Sequence, residues 1–336
     1  MKLMPNDPRI LIEGCAELLG KGEWLTLRRL PITEVGLLVH PELVQMADMA
    51  AGVRLEFITD ASQLAFEVEV TMPVGLSGDV APFDVCVDGV RTHRQLIFGE
   101  ATLRVTDLGS DPKRITVWLP HFGDTKLGAM TFTGAQFVEK PTSSRPHFLA
   151  YGSSITHCRE ALGPSETWPA LVSANEDLRL TSLGFAGQCH LDPVVARHIR
   201  DTPADLISLC LGINVWGAST YPRRTLAPTI EGFLATVRSG HPDTPIVVIS
   251  PIASPDREDR PNEDQLTLAD IRTIVTDVVT ELQRLGDAAL FLIDGLDVLN
   301  VDEAHLLQDG LHPSPEGYKE LARRLGPRLA AVLTAH

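Results

Sequence analysis

The chain has 336 residues, more than one ordinary domain holds and enough for two. Hydrophobic residues make up 44% and charged residues 22%, the balance of a soluble globular protein with material for two cores. A net charge of -15 argues against a nucleic-acid-binding surface and against docking on anionic lipid.

The opening residues, Met1 to Asp7, contain no apolar h-region, so no secretory signal is expected. No stretch approaches the roughly 18 apolar residues of a membrane span, and no membrane partner is expected. The five cysteines (15, 86, 158, 189 and 210) are odd in number and form no CxxC pair. They do not read as a disulfide framework, and a reducing cytoplasm is the expected compartment.

Up to about residue 140 the period is two. Val53, Leu55 and Phe57 alternate with polar neighbours, as do Leu64, Phe66, Val68, Val70 and Met72, and then Ile115, Val117 and Leu119. Asp88-Gly89 after Val85-Cys86-Val87 is a hairpin signal. Many short alternating strands predict an antiparallel β-sandwich, jelly-roll-like, over residues 1–140. The polar, proline-bounded stretch 141–146 reads as a linker, and 147–336 as a second domain.

Beyond the linker, short apolar runs alternate with amphipathic helices. The runs are 147–151, 178–183, 206–211, 246–249 and 290–293; helices are predicted near 166–175, 191–200, 228–239, 266–285 and 315–334. Runs apolar on both faces suit a parallel sheet covered by helices on each side, and ligands bind beyond the carboxyl ends of such strands. The loop 253–265 is long and charged; a solvated connection is the plainer account and a lid the sharper one.

Four short motifs fall at these strand ends and on a late loop. They are Gly152-Ser153-Ser154-Ile155-Thr156, Gly184-Phe185-Ala186-Gly187, Gly212-Ile213-Asn214 and Asp309-Gly310-Leu311-His312-Pro313. Together they supply the parts of acyl transfer through a serine. Ser154 is the candidate nucleophile, His312 the base and Asp309 its orienter. The backbone N–H groups of Ser154 and Gly187 and the side-chain amide of Asn214 are candidate oxyanion donors. Each residue has a duller reading. Ser154 before a helix suits an N-cap, Asp309 an Asx turn, Gly187 a positive-φ turn, and Asn214 a strand-end cap. The four motifs in this order outweigh those readings.

Ser153 is the rival nucleophile and reads better as support for the loop. Ser153, His190 and Trp216 are candidate pocket residues, with Asp192, Trp168 and Tyr221 as further possibilities. His157, Cys158, Cys189, His190 and His305 lie near the motif loops, but no HExxH or paired CxxC spacing points to a metal. No metal is expected, and Cys158 reads as a buried thiol.

The motifs resemble those of the SGNH (GDSL) hydrolase superfamily over about residues 147–334. The first block matches at Gly152 to Thr156, the second at Gly187, the third at Gly212 to Asn214 and the fifth at Asp309 to Pro313. The resemblance implies a flavodoxin-like three-layer α/β/α domain, serine-dependent esterase or acyltransferase chemistry, and no cofactor. Two positions depart from it. Ser153 replaces the aspartate of Gly-Asp-Ser, in a Gly-Ser-Ser-Ile-Thr variant found in branches of the superfamily. Val215 replaces the aspartate that often follows the third-block asparagine. A sandwich ahead of such a domain is similar to the build of two-domain carbohydrate esterases and of GDSL acyltransferases in tetracycline-type biosynthesis.

Three functions follow as expectations. The first is a carboxylic ester hydrolase working through an acyl-enzyme on Ser154. The second is an acyltransferase, in which an alcohol acceptor intercepts the same acyl-enzyme. The third is a binding protein on an inactive scaffold, against which the intact Ser154, Asp309 and His312 speak. The partner expected in the first two is a small-molecule ester or acyl donor. Self-association as a homo-oligomer is left open by the sequence.

Overall fold

The structure, a computed structural model, describes residues 1–21, 23–31 and 39–335. The chain divides into two compact units. The first takes in the N-terminal strands, His40–Ser144 and the short segment Leu162–Glu166; the second takes in Arg145–Ala161 and the chain from Thr167 onward.

The strands of the first unit are β1 (Lys2–Leu3), β2 (Leu11–Glu13), β3 (Glu17–Lys21), β4 (Trp24–Arg28), β5 (Arg54–Thr59), β6 (Gln63–Thr71), β7 (Phe83–Val87), β8 (Val90–Gln95), β9 (Gly99–Val105), β10 (Lys113–Trp118), β11 (Asp124–Thr133) and β12 (Val138–Glu139), with helix α1 (Pro41–Asp48) between β4 and β5. They form two antiparallel sheets. One runs β3-β4-β11-β6-β9 with β1 on β11, the other β12-β5-β10-β7-β8 with β2 on β5.

The alternation read from the sequence is the cause. In β6, Leu64, Phe66, Val68 and Val70 are buried while Gln63 and Glu67 are exposed. Leu55 and Phe57 of β5, Ile115 and Val117 of β10, and Met130 and Phe132 of β11 join them in one core. Phe57 and Phe132 meet edge-to-face with centroids 5.0 Å apart, and truncating either to alanine costs about 3–5 kcal/mol. Asp88 and Gly89 both have positive φ, as the tight turn between β7 and β8 requires.

The second unit has strands β13 (His147–Gly152), β14 (Arg179–Gly184), β15 (Leu206–Cys210), β16 (Ile246–Ile249) and β17 (Leu290–Ile293). Its helices are α2 (Ser154–His157), α3 (Trp168–Asn175), α4 (Pro193–Asp201), α5 (Ile213–Ala218), α6 (Arg223–Arg238), α7 (Pro255–Glu258), α8 (Leu268–Arg284), α9 (Gly295–Val298) and α10 (Pro315–Ala335). All strand pairings are parallel, in the order β14-β13-β15-β16-β17. This is the flavodoxin-like α/β arrangement. Helix α3 packs with α10, while α4, α6 and α8 pack together, forming the two outer layers. The four residues of β16 are all buried, as a strand covered on both faces must be.

The strand order places the switch point between β13 and β15. The chain leaves β13 to form β14 on one side, then returns to add β15 on the other. In open α/β sheets, ligands bind outside the carboxyl ends of the strands at such a point. Ser154 follows one strand and Asn214 the other.

The helix predicted near 228–239 begins earlier, at Arg223, and runs through Pro228. Pro228 lacks the N–H that would bond the Arg224 carbonyl, a single bond lost near the helix start, while Leu226, Ile230, Phe233, Leu234 and Val237 supply the buried face. Helix α8 starts where a capping box closes between Thr267 and Asp270.

Candidate active site

Gly152 ends β13 and the chain turns directly into the single turn of α2. The N-cap is Ser153. Its hydroxyl accepts the Ile155 N–H at 3.2 Å, and the residue is 2% exposed. Capping therefore falls to Ser153 and leaves the Ser154 side chain free. It also means that Ser153, a candidate pocket residue by sequence, is too buried for a substrate to touch. It lines instead a small apolar cavity of about 30 Å³ with Ile155, Trp168 and Cys210.

Ser154 Oγ lies 2.9 Å from His312 Nε2, and His312 Nδ1 lies 2.7 Å from Asp309 Oδ2. The carboxylate selects the tautomer with hydrogen on Nδ1, so Nε2 is the acceptor for the serine hydroxyl. The other oxygen, Asp309 Oδ1, accepts the N–H groups of Leu311 at 3.0 Å and His312 at 2.7 Å. The Asx turn and the histidine contact thus coexist in one residue. Burial pushes the Asp309 carboxyl upward, but the His312 N–H, the His312 ring and the Leu311 N–H outweigh it and hold the group below the usual aspartate range.

The loop is pinned from both ends. Gln308 N–H bonds the His312 carbonyl at 2.7 Å, Ser314 N–H bonds that of Leu306 at 2.7 Å, and Ser254 Oγ donates to the Gly310 carbonyl at 2.7 Å.

Asn214 lies in the first turn of α5, after Gly212. Gly212 has φ +111°, and a Cβ there would come within 2.8 Å of Pro251 Cγ and 2.9 Å of Ile271 Cγ2. Only glycine turns the chain so tightly here. Asn214 Oδ1 accepts the Cys189 N–H at 3.0 Å. That bond orients the amide and leaves Nδ2, the donor end, unbonded among the described residues. Gly187 has φ +71° with open space where a Cβ would lie, and it is exposed. Its N–H and that of Ser154 make no hydrogen bond among the described residues. Helix α2 is one turn long, so Ser154 offers an anion its free N–H rather than a dipole summed over many peptides.

His190 does not present a free imidazole. Nε2 contacts the Gly187 carbonyl at 2.9 Å and Nδ1 the Thr220 hydroxyl at 2.7 Å, while Tyr221 OH donates to its carbonyl at 2.9 Å. It buttresses the glycine loop. His157 is fully buried, and its Nδ1 accepts the Ala186 N–H at 3.4 Å. Trp168 is a core residue whose Nε1 donates to the Ile155 carbonyl at 3.0 Å. Trp216 is half-buried; its Nε1 donates to the Arg260 carbonyl at 3.1 Å, and the Arg257 guanidinium lies 5.3 Å from its ring centroid. His305 is exposed, in a 3₁₀ segment.

Burial pushes the Cys158 thiol well above its ordinary value, and pushes those of Cys189 and Cys210 up to about 12. No group of three or more His, Cys, Asp or Glu side chains able to hold a metal ion occurs among the described residues.

Several supports were not read from the sequence: Ser254 on the Gly310 carbonyl, Cys189 N–H on Asn214, Thr220 on His190, and Arg257 on Trp216. All span at least 25 residues, and none lies in a motif.

The profile of the GDSL-like Lipase/Acylhydrolase family matches residues 150–320, which is 171 of the 336. The chain belongs to this family. It is an enzyme of the SGNH serine esterase or acyltransferase kind. The profile of the SsfX3 N-terminal domain matches residues 14–127. Among solved structures, the salicylyl-acyltransferase SsfX3 from a tetracycline biosynthetic pathway is 34% identical, with a TM-score of 0.91, over 99% of this chain and 97% of that one. A GDSL-like lipase from Bacteroides ovatus has a TM-score of 0.81 at 19% identity, over 99% of this chain and 98% of that one. A family two carbohydrate esterase from Clostridium thermocellum has 0.68 at 16%, over 85% of this chain and 94% of that one. The last two are likenesses of fold. No curated protein sequence matches. The first motif block opens directly after β13, the first strand of the parallel sheet.

Proposed function

We propose that the protein is a serine-dependent carboxylic ester hydrolase. Ser154 is the nucleophile, His312 the base and Asp309 its orienter; Ser154 N–H, Gly187 N–H and Asn214 Nδ2 form the oxyanion hole. The observation that carries this reading is the unbroken chain from Ser154 Oγ through His312 to Asp309, at 2.9 and 2.7 Å.

The chemistry follows from the geometry. As Oγ bonds to the carbonyl carbon, its proton passes to His312 Nε2. The carbonyl oxygen becomes an anion and takes hydrogen bonds from the three open donors. These are worth more in the transition state than in the ground state because the charge exists only there. The imidazolium, held by Asp309, returns its proton to the leaving alkoxide as the C–O bond breaks. Water then attacks the acyl-Ser154 ester, giving a proton to His312 Nε2; the acyl C–Oγ bond breaks, the proton returns to Ser154 Oγ, and the acid departs. No cofactor takes part.

A second reading is acyl transfer to an alcohol acceptor, favoured by the 34% identity to a salicylyl-acyltransferase along 99% of the chain. The two differ in what attacks the acyl-enzyme. In either case the substrate is a small-molecule ester or acyl donor. We also place the protein in the cytoplasm, a reading supported by its five unpaired cysteines.

Stopped-flow hydrolysis of p-nitrophenyl acetate and a longer-chain ester by wild type and Ser154→Ala tests the proposal, with small and aromatic alcohols as competing acceptors. Loss of turnover in the variant is expected. Free acid as the sole product supports hydrolysis, and acylated alcohol in excess over acid supports transfer. A variant as active as wild type overturns the role of Ser154.

A further inference from the structure

Arg257 stands out among the partly buried arginines. Arg28, Arg94, Arg238, Arg272 and Arg324 each pair with a carboxylate. Arg257 is half-buried and has none within ion-pair distance among the described residues, in a chain with 44 acidic residues and 29 basic ones. The nearest acids in sequence do not answer it. Glu258 is held by both Nη atoms of Arg272 at 2.9 Å, and Asp256 and Asp259 are exposed.

Two contacts hold the guanidinium in place. Nη1 donates to Ser254 Oγ at 3.0 Å, and its Cζ lies over the Trp216 ring, 5.3 Å from the centroid. The same Ser254 hydroxyl donates to the carbonyl of Gly310, next to Asp309. Trp216 lies two residues after Asn214 on α5, and its carbonyl accepts Asn262 Nδ2 at 3.3 Å from the same loop. The loop 253–265 therefore links the two sides of the site, with Arg257 between them.

We propose that Arg257, stacked on Trp216, forms an anion subsite beside the candidate triad and selects substrates that carry a carboxylate or phosphate group. This deepens the function proposed above and rests on it for the substrate's second half, the ester. A guanidinium pre-oriented by one hydrogen bond and one aromatic face keeps its remaining N–H donors as a planar fork. That fork matches two oxygens of a carboxylate or phosphate. The stack restricts its rotamers before the ligand arrives, which lowers the entropy cost of binding. An anion there would also give Arg257 an ion pair.

The test separates the subsite from the serine chemistry. In Ser154→Ala protein, titration with benzoate and with its neutral isostere benzamide, followed by calorimetry, reads the subsite alone. Benzoate is expected to bind at least tenfold more tightly. Arg257→Gln, added to Ser154→Ala, is expected to abolish that preference, and Arg257→Lys to retain part of it. Equal affinity for the two ligands, absence of benzoate binding, or a preference that survives Arg257→Gln overturns the proposal.

Two ester pairs then locate the anion in otherwise wild-type protein: 4-acetoxybenzoate against its methyl ester, and mono-p-nitrophenyl succinate against p-nitrophenyl butyrate. The anionic-to-neutral ratio of kcat/KM is expected to fall about tenfold with Arg257→Gln in one pair. The first pair marks the leaving alcohol, the second the acyl group. A ratio unchanged in both overturns the proposal, as a purely structural role for Arg257 would lower both members alike. Wild type that binds benzoate through Arg257 yet cleaves no ester keeps the subsite and overturns the ester chemistry.

Discussion

Arg54 and Ser154 are the centres of two polar clusters with opposite logic. In the sandwich, Arg54 is 2% exposed and its donors are met by Glu13, by Glu56 at 2.9 Å and by the Gly52 carbonyl at 3.3 Å, with Trp118 under its plane. Glu56 is shared with Arg114. Desolvation pushes the Glu56 carboxyl upward, yet Arg54 and Arg114 overcome it and keep the group below its ordinary value. In the α/β unit, Ser154 and His312 are positioned just as firmly, but around them stand donors with no partner among the described residues: two backbone N–H groups and Asn214 Nδ2. Buried polar groups that fold a protein are satisfied by it. Groups kept open at a strand-end crevice are available to something that arrives later. Arg257 belongs with the second kind.

The largest effect expected is on chemistry. Ser154→Ala should lower kcat for an activated ester by roughly 10⁴–10⁶-fold, while the thermal midpoint of the second unit moves little. A comparable drop in both would put Ser154 with Arg54 as a structural residue. The next effect is on folding. Arg54→Leu leaves Glu13 and Glu56 without their main partner in a buried place, and should cost about 3–5 kcal/mol in urea unfolding of the sandwich. A cost below about 1 kcal/mol would show that the network relaxes to water and is not closed.

Asn214→Ala removes one open donor. It should lower kcat by about 10²–10³-fold, equivalent to about 3–4 kcal/mol of barrier, with KM changed much less. An equal loss in KM would mean that the amide holds the substrate and not the developing anion.

The smallest effect is electrostatic. Asp309 has its carboxyl held below the usual aspartate range and its side chain is 54% exposed, so solvent screens it. Its folded value is depressed, so its stabilising contribution is present above about pH 4 and fades as pH falls through that folded value. The stability gap between wild type and Asp309→Asn, followed by denaturant titration from pH 7 to pH 2, should be flat at first and close at the acid end. A gap that stays constant down to pH 2 would show that the ionised carboxyl contributes nothing to folding.

Much of this was legible in the residues. The change of period at the linker, the hairpin at Asp88-Gly89 and the doubly buried runs were enough for two antiparallel sheets and a parallel one. Hydrophobic periodicity is local, so it survives without the fold. The boundary of α6 was not legible, because a proline normally opens a helix and Pro228 lies inside one whose buried face outweighs the missing bond. Nor was the segment 162–166 placed with the sandwich. Arg94 bonds both Asp84 and Glu166 there, at 2.6 Å each, and Asp84 also accepts the Ser165 N–H and hydroxyl. The residues concerned are 10 to 81 positions apart and carry no pattern.

By itself, the sequence determined the classes: two regions of different period, with serine and asparagine on strand-end loops of the second and aspartate and histidine on its late loop. Those follow from short-range constraints, since turn geometry and side-chain chemistry are written within a few residues. Only the tertiary structure decided which serine caps and which faces the histidine, that His190 is a buttress, that the Asn214 amide keeps its donor end unbonded, and that Arg257 is left without a carboxylate, the last two among the described residues. Each of these depends on partners brought together by the sheet order, and a hydrogen bond is satisfied or left open only once every neighbour is in place.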